Sequence, residues 1–123
     1  MCNAIGKKLW VLPDCELPRE GEGVAKGHES VIVVNDSNED AEISVKLLFT
    51  DKEAYENIKW NVKAGRVRCF RTNNPGDMCG FVIPFETQYA MKLVSNCNIV
   101  VQYGRLDNTQ ANLAFYTTMG YSE

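Results

Sequence analysis

The residues best equipped for chemistry lie together near the C-terminal end, in Val101-Gln-Tyr-Gly-Arg-Leu-Asp107. Side chains on an extended strand alternate between faces, so Tyr103, Arg105 and Asp107 fall on one side and Gln102 on the other. A guanidinium offers a rigid planar fork of donors, a carboxylate accepts, and a tyrosine ring adds an apolar platform. That set suits a polyhydroxylated or anionic small molecule. It equally suits a plainer task, an Arg105 to Asp107 pair that closes the strand end or meets a neighbouring subunit. The one histidine, His28, adjoins Glu29. Strand neighbours point to opposite faces, so the two are not expected to act as a dyad; His28 reads either as an anchor for the loop before it or as a ligand contact.

Other chemistries are poorly supplied. The chain has no G-x-S-x-G motif and no glycine-rich phosphate loop, which leaves carboxylate acid/base work through Glu29, Asp51 or Asp107 as the one catalytic route. No enzyme is expected. Cys2, Cys15, Cys69, Cys79 and Cys97 are odd in number and form no C-x-x-C pair, so they read as free thiols, with Cys69 a small buried apolar side chain. One histidine and scattered cysteines make no zinc set, and neither a metal nor a cofactor is expected. Lys63, Arg66, Arg68 and Arg71 gather four cations within nine residues. Such a run is usually a solvated edge that discourages strand-to-strand aggregation, with an anion or nucleic-acid role as the alternative. A net charge of −3 provides no broad positive field for phosphates. Trp10 reads as core or as the wall of a pocket beside the loop that follows it.

The elements that must position these residues are strands. In Ala41-Glu-Ile-Ser-Val-Lys-Leu-Leu-Phe-Thr50, Ile43, Val45, Leu47 and Phe49 share one face, the mark of a half-buried strand. The β-branched run 30–35 precedes it across a polar link, as in a hairpin. Further strands are predicted at 8–12, 57–62, 67–71, 89–95, 98–105 and 113–120, about eight in all. Turns are placed at Ala64-Gly65, at Asn73-Asn-Pro-Gly-Asp77 and at Ser95-Asn-Cys-Asn98. Thr50-Asp-Lys-Glu53 has capping-box spacing and supports one helical turn at most. The stretch 13–27, with two prolines and three glycines, reads as a long irregular loop. At 123 residues with 45% apolar content, the chain fits one all-β domain, an antiparallel β-sandwich with a real core. No apolar run approaches the roughly 20 residues of a membrane helix, and the N-terminus lacks the pattern of a signal peptide, so a cytoplasmic location is expected.

The C-terminal Ser95-Asn-Cys-Asn-Ile-Val-Val-Gln-Tyr-Gly-Arg-Leu-Asp107 and Gly27-His-Glu-Ser-Val-Ile-Val-Val-Asn35 carry a resemblance, together with Glu39-Asp-Ala41, Thr50-Asp-Lys-Glu53 and the early Trp10. In this order and spacing they resemble the Anabaena sensory rhodopsin transducer family over nearly the whole chain. The resemblance implies a β-sandwich subunit in a cyclic homotetramer, a non-enzymatic soluble partner of a membrane photoreceptor, and binding of small sugars or, in the type member, of DNA. By matching position it makes His28, Glu29, Asp51, Gln102, Arg105 and Asp107 candidate functional residues, with Trp10 and Arg68 as outer members.

Overall fold

The computed structural model describes residues 5–110 and 112–123, and Cys2 lies outside them. Eight strands run in the order β1 (Lys7–Glu16), β2 (His28–Asn35), β3 (Ala41–Phe49), β4 (Tyr55–Val62), β5 (Arg66–Arg71), β6 (Gln88–Asp107), β7 (Ala114–Met119) and β8 (Tyr121–Ser122). Among the described residues there is no helix, and so none long and apolar enough to cross a membrane. Every pairing is antiparallel. One sheet has the order β4-β3-β6-β1-β8. The other runs β5-β2-β6-β7.

The 20-residue β6 belongs to both sheets. Its first half pairs with β1 and β3, and its second half, from Val100, with β2 and β7. The turn expected at 95–98 does not form. Tyr89, Met91, Leu93, Ser95, Cys97, Ile99, Val101 and Tyr103 are all buried at a strict period of two. Burying that unbroken face outweighs the local turn preference of two asparagines. Asn96, on the outer face, instead bridges to the β2–β3 link. Its amide donates to the Asp40 carbonyl at 3.1 Å and its oxygen accepts from the Glu42 N–H at 2.7 Å.

One other expectation is corrected. The loop is shorter than 13–27, because β1 continues to Glu16, with a register shift between Leu12 and Cys15 at the proline. Proline has no N–H for the ladder and is tolerated at such a bulge. The strand expected at 113–120 forms as β7 and ends at Gly120, where the chain passes from one sheet to the other. A Cβ there would stand 2.5 Å from the Val11 carbonyl oxygen, so only glycine permits the close crossing. Residues 50–52 bend without completing a helical turn.

The core lies between the sheets, with Leu12, Ile43, Leu47, Ile58 and Leu93 from one side and Val31, Val33, Phe70 and Val101 from the other. At the β4/β5 side Trp60 stacks on Phe70, ring centroids 4.0 Å apart and planes 4° from parallel. Arg68 caps that stack, its guanidinium carbon 4.5 Å from the Phe70 centroid and its Nη1 donating to the Asn61 carbonyl at 2.7 Å. The opposite side, between β1 and β7, is less tightly closed and holds the candidate site.

Candidate functional site

Glu29 is the one fully buried carboxylate among the described residues. Alternation along β2 turns it into the core while His28 faces outward, and cross-strand pairing sets Glu29 opposite Arg105. Four donors from distant parts of the chain converge on it. Tyr89 and Thr72 hydroxyls donate to Oε1 at 2.6 and 2.8 Å. The Glu16 N–H donates to Oε2 at 3.0 Å, and the Tyr103 hydroxyl donates to the same oxygen. An ionised carboxyl group offers about four acceptor sites, and here each meets a donor. No lone pair is left for a ligand.

Tyr103 connects this buried group to the surface. Its hydroxyl oxygen accepts from Arg105 Nε at 3.2 Å while its proton points at Glu29. Burial, the Glu29 charge and the hydrogen bond to it push the Tyr103 hydroxyl well above its ordinary range. Tyr89 shifts the same way for the same reasons. The Cys15 thiol beside them is raised by burial first and by Glu29 second, so it stays protonated and unreactive. Burial works against the charge of Arg105, but the hydrogen bond to Tyr103 and the fields of Tyr103, Tyr116 and Glu29 hold its pKa above normal. Its guanidinium carbon lies 5.8 Å from the Tyr103 ring centroid and 5.3 Å from that of Tyr116, and Nη2 reaches the Asp14 carbonyl at 3.4 Å.

A pocket of about 400 Å³ opens beside these rings. Leu12, Pro13 and Asp14 of β1 form one wall, Tyr103, Tyr116, Thr118 and Met119 the other, and Gly120 the floor where the chain changes sheets. It presents aromatic faces, a phenol and a carboxylate, with a cation behind them, so it can stack a flat or ring-shaped molecule and exchange hydrogen bonds at its edges.

Of the residues singled out in the sequence, Glu29, Tyr103 and Arg105 come together. Asp107 shares their face, but its carboxylate accepts from the Thr109 hydroxyl and N–H at 2.7 and 2.9 Å, and these bonds lower its pKa. It caps the turn after β6 and makes no ion pair with Arg105. His28 donates from Nδ1 to the Lys26 carbonyl at 2.9 Å and anchors the preceding loop. Gln102 lies on the outer face between Ile32 and Met119. Asp51 is exposed in the β3–β4 link. Trp10 is buried, its indole N–H shared between the Lys7 and Ile99 carbonyls at 3.1 Å each, and Arg68 sits on the far side of the sandwich. Cys69, expected in the core, is exposed instead, because its pairing with Ile32 puts it on the outer face of β5 and gives the inner one to Phe70. Tyr89, Thr72, Cys15, Tyr116 and Asp14 join the site without having been singled out. Their positions follow from inter-sheet contacts at separations such as 43 residues for Thr72 and 60 for Tyr89, which no local pattern encodes.

Comparison with known proteins gives consistent results. No curated protein matches the chain. Among solved structures, that of Thermotoga maritima 1070 is similar at 28% identity, with 96% of each chain covered and a TM-score of 0.85. The Anabaena sensory rhodopsin transducer is similar at 30% identity, with 83% of this chain and 91% of that one covered and a TM-score of 0.70. The family model of the Anabaena sensory rhodopsin transducer matches residues 5–122. A match of that extent, on a sandwich of the same shape, means that the chain belongs to the Anabaena sensory rhodopsin transducer family.

Proposed function

We propose that this protein is a non-enzymatic, cytoplasmic signalling adaptor that assembles as a homo-oligomer, a tetramer as the family resemblance implies, and docks to a membrane photoreceptor or another membrane sensor. The full-length family match carries the reading. Its support from physical chemistry is that no pair of groups in the buried site is arranged for turnover: Glu29 is saturated by donors, and the nearby tyrosines and Cys15 hold their protons. Purified protein should co-sediment with membranes of the source cell that contain such a sensor and stay in solution with protein-free vesicles of the same lipids. Equal recovery with both, or none with either, would remove the membrane partner.

A second reading is favoured by the pocket between β1 and β7. Tyr116 and Asp14 face it alongside the Tyr103 ring, and Arg105 stands behind the two tyrosines. That chemistry suits a neutral or anionic sugar-like molecule. A bound ligand raises the melting temperature by mass action. A thermal-shift screen of monosaccharides and sugar phosphates is expected to give at least one stabiliser whose effect disappears in Tyr116→Ala. A screen with no stabiliser would sink this reading. DNA binding through the basic strand β5 ranks below both, since Arg68 is already engaged with Phe70 and Asn61.

A further inference from the structure

The hydrogen bonds around Glu29 extend past the ligand pocket. A second crevice, about 210 Å³, opens between Leu17 and Glu20 on one wall and Thr72, Phe81 and Phe85 on the other. Both walls hang on the same carboxylate. Glu16, next to Leu17, donates its N–H to Oε2 at 3.0 Å. Thr72 donates its hydroxyl to Oε1 at 2.8 Å and its backbone N–H to the Glu29 carbonyl at 3.4 Å. The rims are tied by the Glu86 N–H donating to the Leu17 carbonyl at 2.8 Å and by the Arg19 to Glu86 ion pair at 2.7 Å. The ion pair is exposed and contributes little. Val82 and Phe85 stand exposed at the mouth.

We infer that the pocket and the crevice are coupled through Glu29, so that a change in the seating of Tyr103 alters the crevice between the 16–20 and 72–85 segments. The inference rests on the ligand-binding reading above and names the route by which pocket occupancy is passed on. Its physical basis is saturation. The two carboxylate oxygens are rigidly joined, every acceptor site is taken, and the group is fully buried. Displacing the Tyr103 hydroxyl therefore has no solvent to compensate it, and the carboxylate must turn, which disturbs the bonds to Glu16 and Thr72. Tyr103 lines the pocket and Thr72 lines the crevice, so one buried side chain touches an element of each.

Amide hydrogen exchange on Tyr103→Phe tests the coupling, because this change keeps the ring and removes only the hydroxyl. Exchange at residues 16–20 and 72–80 should quicken at least tenfold while the β3–β4 hairpin is unchanged. Tyr116→Phe, which removes a hydroxyl from the same pocket outside the network, should leave the crevice amides as they were. A rise confined to β6 and β7, or a uniform rise in every strand, would overturn the inference. Should Tyr103→Phe fail to fold, Thr72→Val reads the link from the other end. Faster exchange at 101–105 supports coupling, and no change there refutes it. The two readings fail separately: an empty ligand screen leaves these exchange patterns standing, and a purely local pattern leaves the pocket standing.

Discussion

Glu29 illustrates how a buried charge is tolerated: not by one counter-ion but by four donors, three of them hydroxyls, with Arg105 one hydrogen bond further out. The arrangement has a consequence for pH. Tyr103 and Tyr89 are held above their ordinary value of 10.0 in the fold, chiefly by burial and by Glu29. Above about pH 10 an unfolded tyrosine releases its proton while the folded one keeps it, so the unfolded state binds fewer protons. Stability from these groups is whole below that pH and declines as pH rises. Cys15, raised by burial from 9.0, adds to the decline from slightly lower pH. Urea unfolding between pH 8 and 11 should therefore give a falling stability, and Tyr103→Phe should fall less steeply, by up to about 1.4 kcal/mol per pH unit for the one proton removed. Parallel slopes would mean that Tyr103 ionises in the fold as it does in the open chain. At neutral pH the same variant should cost about 2 kcal/mol, the scale of a hydrogen bond to a charged acceptor.

Among the elements, β6 decides the architecture. Two predicted strands fuse into it, the strand expected at 113–120 forms as β7, and the short β8 lies beyond every predicted strand, so the predicted number is right for partly wrong reasons. The local signals at 95–98 were real turn chemistry, and Asn96 uses it, but toward the Asp40 and Glu42 backbone rather than to reverse its own chain. Asn96→Ala should cost about 1 kcal/mol in unfolding experiments, because both bonds are exposed and water replaces part of each. A variant as stable as the parent would show that β6 holds its course without this bridge. The same contrast explains what the sequence could reveal about the site. Tyr103 and Arg105 are two apart on one strand, and alternation alone places them together. Tyr103 and Glu29 are 74 residues apart, and their contact depends on the register of β2 against β6, which a single sequence does not state. Thr72 lies just beyond β5 and Glu16 is the last residue of β1, past its register shift, where neither periodicity nor propensity gives a direction.

For the molecule as a whole, the outer face of the β5-β2-β6-β7 sheet is the surface that a lone subunit leaves unexplained. Pairing aligns Val67 with Val34 and Val100, Cys69 with Ile32, Gln102 and Met119, and Leu106 with Phe115. No layer covers them: Val67, Met119 and Phe115 are 59%, 52% and 62% exposed. The row Arg71, Ser30, Gly104 and Thr117 interrupts these apolar rows, but uncovered valine, methionine and phenylalanine side chains grouped on one sheet face are typical of association surfaces. Its edges, β5 and β7, each pair with one strand only and add unpaired backbone. A second copy of the same face, related by a two-fold axis, would cover aliphatic rows with aliphatic rows and place Gln102 where it can bond across the axis. Sedimentation at roughly 10 µM, a concentration at which stable homo-oligomers persist, should therefore give an oligomer. Phe115→Lys combined with Met119→Lys should give monomers with an unchanged far-ultraviolet spectrum, since both side chains point away from the core and their removal opens no cavity. A monomeric parent protein would refute face-to-face assembly. An oligomer untouched by the double substitution would move the contact to the strand edges.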